Sequence, residues 1–319
     1  MANKYNGLIN VYKEAGYTSN DVVAKLRGIL HQKKIGHTGT LDPDAVGVLV
    51  VCLGTGTKLV QMLTDHDKEY ICVCRLGVTT DTQDMSGKVL DMQDVNVTRD
   101  ELHGAVQAFV GDYDQVPPMF SAIKKDGKKL YELAREGKEI EREPRKVHIG
   151  AISVLDDSLL DSEHLFTMEV KCSKGTYIRT LCHDIGLRLG CGAAMQHLTR
   201  TSVGAFHLES AHTLKEIEQM RDDGTIFEII ESPEYIFRDL DAIKVKDSAY
   251  KLLVNGNSFR IDNVFCEDPE GISDEEYSGE MYKGGDRVRV YSEDGVFFGI
   301  YRYNGRTRVF DVEKFFYES

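Results

Sequence analysis

The segment Lys34-Ile-Gly-His-Thr-Gly-Thr-Leu-Asp-Pro-Asp-Ala-Val-Gly-Val-Leu49 limits the fold most tightly. It joins a Gly/Thr-rich approach to an apolar run through a single Asp-Pro step. Pro43 fixes its own φ and pushes Asp42 toward an extended conformation. The glycines on either side leave room for a partner to come close. A carboxylate held on such a turn is a candidate nucleophile. An Asx-turn before a helix is the ordinary role of an Asp-Pro pair, and local chemistry alone favours it.

A length of 319 residues suggests two domains or one large one, and 41% apolar residues are enough for a core. The start of the chain has no apolar h-region and no stretch reaches membrane-spanning length, so a soluble cytoplasmic protein is expected. The seven cysteines are scattered, with no CxxC pair and no zinc-type spacing. Reduced, buried thiols and no metal are expected. Cys72 and Cys74 alternate within Tyr70-Ile-Cys-Val-Cys and so share one face of a strand. A net charge of −13 argues against a nucleic-acid partner, but the charge is uneven. Residues 171–200 carry five Lys/Arg against one acid, and residues 124–146 carry nine against six. Residues 261–280 hold eight acids and no Lys or Arg. A basic groove on an acidic protein therefore stays open.

Hydrophobic spacing predicts a strand over 7–12 and a helix from Ser19, with Ser19 as its N-cap. Residues 45–53 are apolar without a clear period, which fits a buried strand or a helix end plus a strand. Further helices are expected over 58–63, over 98–109 with Thr98 as N-cap, over 129–135 and over 177–189. Strands are expected over 69–76, 146–154 and 165–172. A boundary is placed near Ser232-Pro233. Beyond it, the runs 287–291, 295–302 and 308–311 alternate between glycine turns, as in a small β-barrel or sandwich, and 266–280 reads as a solvated acidic loop.

Taken singly, the remaining motifs are weak. Gly54-Thr-Gly-Thr-Lys lacks phosphate-loop spacing, and no dinucleotide fingerprint follows a strand. Val116-Pro-Pro-Met-Phe-Ser is either a structural loop or a cleft wall. Tyr70 at the start of a strand is either core or a stacking surface for a base. Arg179 near a helix start is either a surface ion pair or a fixed fork for a carboxylate. Their order is more specific. GHTGTLDP, DKEY, LGVTTDTQDMSGKV, VPPMFSAIKKDGKKLYELAREG, CSKGTYIRTL and HLTRTSVG follow one another as in the TruB-type tRNA pseudouridine synthases of bacteria. The chain closely resembles that family over about residues 5–210 and more loosely beyond.

The resemblance implies isomerisation of a uridine in the T-arm loop of tRNA, at position 55. The base is detached from C1′, rotated and rejoined through C5, with no cofactor or metal. Asp42 aligns with the catalytic aspartate. Attack at C1′, attack at C6 and removal of a C2′ proton are all open to it. Tyr70 is implied to stack on the uracil and relay the C5 proton, and Arg179 to pair with Asp42 and keep it charged. Leu198 is implied to pack on the base, His37 to contact the everted loop, Asp84 to lie near the flipped nucleotides, and Lys13 to lie near the pocket. The implied fold is α/β, a mixed and mainly antiparallel sheet flanked by helices. A catalytic domain spans residues 1–235 with an RNA-binding insert at about 120–150, and a PUA-like β domain spans 236–319. A monomer that takes tRNA without a guide RNA is expected. The chain departs from the family in having Lys13-Glu14 where Lys-Pro is usual, and in its acidic C-terminal region. A non-catalytic tRNA-folding chaperone and a guide-dependent RNP subunit are the alternatives.

Overall fold

The computed structural model describes residues 3–125, 127–265 and 282–318. The acidic 266–280 stretch read as a loop lies outside these residues. The fold is mixed α/β. A ten-stranded sheet carries the first two-thirds of the chain. Across it run Ile230–Glu231, Gly7–Lys13, Val46–Leu53, Ala193–Val203, Lys68–Leu76, Leu165–Cys172, Arg145–Asp156 and Gly111–Gln115. Ile35–His37 pairs alongside Val46–Leu53, and Phe206–His207 alongside Ala193–Val203. All these pairings are antiparallel except one short parallel seam, where Thr199 faces Val46 and Arg200 faces Gly47.

The apolar run after Asp42 resolves as one buried strand, Val46–Leu53. Both of its faces are covered, which removes the alternation a half-exposed strand would show. One layer beneath the sheet holds Tyr70, Cys72, Cys74, Ile178, Leu181, Cys182 and Ile185. The helix Ile178–Leu189 supplies the last four, at its helical period, and Gly190 ends it in the left-handed conformation (φ 75°). A second layer packs the helix Ser19–Leu30 against Ile9, Val11, Leu49 and Val51.

That helix differs from expectation at its start. Thr18, not Ser19, is the N-cap, and it forms a capping box with Asp21. Ser19 is buried, and its hydroxyl accepts from the Leu41 amide at 2.9 Å. The expected helix over 58–63 is a 3-10 turn, Gly54–Leu59, running into Val60–Thr64. Beyond Pro233 a six-stranded sheet forms around Phe259, Phe298, Tyr301, Tyr303 and Phe310. Its Ile300 and Phe316 join Leu8, Val48, Val50 and Cys52 in a common apolar layer, so the two sheets pack together.

One rung of backbone partners crosses the large sheet at Gly47. Lys13 faces Gly47, Gly47 faces Arg200, and Arg200 faces Tyr70. Gly47 has φ 103°, and a Cβ there would lie 2.2 Å from the Arg200 carbonyl oxygen. Gly47→Ala combines left-handed backbone strain with a backbone clash. It should lower unfolding free energy by about 2 kcal/mol or more in denaturant titration. An unchanged midpoint would contradict this packing.

Candidate active site

Asp42 sits on the turn that feeds Val46–Leu53, and four contacts hold the turn. The Ala45 amide donates to the Asp42 carbonyl at 3.2 Å, and the Gly16 amide to the Pro43 carbonyl at 2.9 Å. Ser19 holds Leu41, as described. Lys13 lies beneath, fully buried, with its ammonium donating to the carbonyls of Glu14 (3.1 Å), Pro43 (2.9 Å) and Ala45 (2.6 Å). Three donors meet three acceptors, so Lys13 supports the turn. Burial lowers its pKa to about 8, against the opposing pull of Asp42 and Asp44.

Arg179 reaches the same turn from the first turn of the helix Ile178–Leu189. Its Nε lies 2.9 Å from Asp42 Oδ2, and its second terminal nitrogen donates to Asp42 Oδ1 at 3.2 Å, a bidentate fork. The guanidinium also donates to the Thr82 carbonyl (3.0 Å) and the Phe120 carbonyl (2.9 Å), and lies 3.7 Å from Asp84 Oδ2. The Arg179 side chain is only 6% exposed, while that of Asp42 is 38% exposed. The anchor is therefore buried and the carboxylate opens outward. The Phe120 contact makes the Val116–Ser121 segment a wall of this site. The helix start is held from the same side, where Gln115 accepts from the Tyr177 amide (2.7 Å) and donates to its carbonyl (3.0 Å).

Asp84 caps its own loop. Its Oδ1 accepts from Thr82 Oγ1 (2.7 Å), Ser86 Oγ (2.6 Å) and the Ser86 amide (3.0 Å). Arg179 therefore lies between two carboxylates. Burial pushes the Asp42 carboxyl above its ordinary pKa. Arg179 opposes the shift and Asp84 adds to it. The pull of Arg179 toward the charged form, which the resemblance implied, is present, and desolvation together with a second anion outweighs it in the direction of the shift.

Tyr70 is buried on the inward face of its strand, between Arg200 and Val170 in register. Burial raises its phenol pKa, opposed by the charge of Arg200. Leu198 faces Cys72 and shares an apolar cluster with Leu41, Ala45 and Tyr70. His37 ends the edge strand beside this loop. Burial and the Arg200 charge lower its pKa, which keeps the imidazole neutral at neutral pH.

Asp42, Arg179 and Asp84 are thus in one contact network, and Tyr70 and Leu198 share the apolar side with Leu41. Lys13 and His37 flank the turn from below and from the edge. Arg200, two residues beyond Leu198 in HLTRTSVG, is a further buried member of this neighbourhood that no single motif marks. It is 2% exposed and donates to the carbonyls of Val48 (2.7 Å), Thr40 (3.5 Å) and Gly39 (3.4 Å). The available signal was parity: Arg200 stands two residues after Leu198, so both face inward on one strand.

Comparison with known proteins places these motifs in a family. The model of the TruB family pseudouridylate synthase N-terminal domain matches residues 27–178, and that of the tRNA pseudouridylate synthase B C-terminal domain matches 179–237. The tRNA pseudouridine synthase B of Lachnoclostridium phytofermentans is 49% identical over 315 residues, spanning 98% of this chain and 99% of the relative. That of Clostridium novyi is 46% identical, spanning 92% and 94%. Among solved structures, a chain of a Cbf5-Nop10-Gar1 complex is similar with TM-score 0.68 and 28% identity, over 98% of this chain and 85% of that one. An H/ACA RNP bound to a substrate RNA containing 2′-deoxyuridine gives TM-score 0.67 and 26% identity, over 98% and 85%.

If Asp42 acts as the anion, the acid limb of kcat/KM lies above the ordinary aspartate range, because the folded-state pKa is raised. Asp84→Asn removes one cause of that shift while keeping the Oδ1 acceptor for Thr82 and Ser86. It should move the limb to lower pH. A limb that stays fixed, or moves up, in a pH–rate profile would contradict the assignment.

Proposed function

We propose a substrate position and residue roles on one premise: the chain belongs to the TruB family of pseudouridylate synthases. Its activity is the isomerisation of uridine to pseudouridine in tRNA. The target we assign is the uridine at position 55 in the T-arm loop, taken as a flipped nucleotide. The observation that carries this proposal is the fork from Arg179 to Asp42, with the carboxylate open outward beside a buried tyrosine and an apolar wall.

The chemistry follows from what each group can do. Asp42 supplies an oxyanion without a general base, and Arg179 holds it in one orientation. Glycosidic cleavage, rotation of the uracil and bond formation through C5 all occur while the base stays in the pocket. Tyr70 offers a ring face and Leu198 an apolar edge, which keep the freed base from leaving. Stacking of about 1–3 kcal/mol offsets part of the few kcal/mol that flipping costs. No step requires a cofactor or metal. The exposed Lys124, Lys125 and Lys128 of the hairpin at 124–129 lie in the insert that we assign to the T-arm backbone. We divide the chain into a catalytic unit, residues 1–235, and a PUA-like unit, 236–319, and assign the protein to the cytoplasm as a monomer.

The similarity to RNP components favours one second possibility, dependence on a guide RNA. Full-length relatives at 49% and 46% identity named for tRNA favour direct action. Pure protein should release tritium from a bare T-arm hairpin carrying 5-tritiated uridine, with turnover and no guide. Asp42→Asn should fold, bind the hairpin and lower release by at least about a thousandfold. Full release by the variant would refute the nucleophile, and release only with added guide RNA would refute direct action. Absence of release by wild type would leave the chaperone.

Affinity for tRNA should fall linearly in log–log form as salt rises, through counterion release from the basic insert. A flat response in filter-binding titrations would exclude that insert as the backbone contact.

A further inference from the structure

Arg200 is a buried cation that pairs with no carboxylate among the described residues. Such a charge is costly unless something specific uses it. A guanidinium has five N–H groups, and its bonds to Val48, Thr40 and Gly39 leave two free. Tyr70 is its direct partner across the strand pair, so the two buried side chains stand side by side on one face of the sheet, and the guanidinium charge acts on the phenol. One side chain therefore clasps the Gly39-Thr40 approach to Asp42 and flanks the tyrosine that faces the base.

We propose that Arg200 is a positioning residue for Tyr70, fixing its oxygen at the uracil C5 and stabilising negative charge there, and that it couples this oxygen to the Asp42 loop. The inference rests on the pseudouridine synthase chemistry assigned above. The step concerned follows formation of the C5–C1′ bond. Tyr70 first gives its phenol proton to solvent, and the phenolate oxygen then takes the proton from C5. The C5–H electron pair closes the C5–C6 double bond, the C6=N1 pair moves onto N1, and N1 takes a proton from water, so the proton lost from C5 is replaced at N1 and the isomerisation is balanced.

The charged and titratable groups around this oxygen are Arg200 from its own sheet, Cys172 from the next strand and Asp42 from the turn. His37, Lys68 and Lys13 surround Arg200 and feel its charge. Lys68 is itself held by the carbonyls of Thr64 and His66, both at 2.6 Å, and so stays in place when Arg200 is changed. Arg200 is the member of this set that opposes the burial-driven rise of the Tyr70 pKa most strongly. Its removal makes the phenolate scarcer at any given pH.

The test uses single-turnover pseudouridine formation on a T-arm hairpin with 5-protio or 5-deuterio uridine, comparing wild type, Arg200→Lys and Arg200→Gln. Each variant should bind the hairpin as wild type does and react at least tenfold more slowly. The C5 deuterium isotope effect should grow, and the rate lost in Arg200→Gln should be partly recovered as pH rises. Arg200→Lys keeps the charge and loses the fork, so it should fall between the two. A structural role would lower the active fraction alike for both isotopes and at every pH, and that pattern overturns the proposal. So does an unchanged rate, or failure of both variants to fold. Wild type that leaves the hairpin unmodified removes the assigned function along with this inference. Normal wild-type turnover with an unmoved isotope effect removes the inference alone.

Discussion

The guanidinium of Arg179 joins three segments that are far apart in sequence: the Asp42 turn, the loop carrying Asp84, and the Phe120 segment. A positive side chain in the first turn of a helix opposes the helix dipole. Here two carboxylates and two carbonyls compensate it. Without them a buried guanidinium would be strongly destabilising, and without it two carboxylates would repel across the same small space. Each partner makes the others tolerable, and the charge is left facing outward on Asp42.

The sheet supplies the rigidity that such a site needs. A single parallel seam lets Val46–Leu53 and Ala193–Val203 approach with Gly47 against Arg200, where any side chain would collide with backbone. The rung from Lys13 through Gly47 and Arg200 to Tyr70 then fixes the relative heights of the turn's support and the tyrosine. Asp42 and Asp84 lie on loops, Arg179 in the first turn of a helix and Tyr70 near the start of a strand, but the scaffold beneath them is main-chain hydrogen bonding and buried apolar packing.

Much of the burial around the carboxylate raises its pKa, and this sets a balance in the chemistry. Desolvation makes Asp42 harder to ionise, yet a less solvated oxyanion is more reactive toward a carbon centre. Arg179 keeps the anion accessible, and Asp84 limits how far that stabilisation goes.

Clear hydrophobic periods set the strands and helices. The helix over 178–189, the alternating strand over 68–76 and the capped helix after Thr98 were all legible, because their patterns are local. The ordered motifs also carried the family, and with it Asp42, Tyr70 and Arg179 as the candidates to examine. Tertiary structure alone decided which polar groups meet. Ser19 reads as a helix cap, yet it is turned inward to hold Leu41, because Thr18 with Asp21 caps better one residue earlier. Lys13 reads as a group near the pocket, yet it lies under the turn, because three carbonyls converge there. Arg200 reads as one more basic residue, yet it is sealed in the sheet, because strand parity and the Gly47 register place it there. The sign of the Asp42 shift could not be read from its neighbours in sequence either. Local pattern encodes the conformation of a segment, whereas desolvation and charge pairing depend on distances between segments that only the folded chain sets.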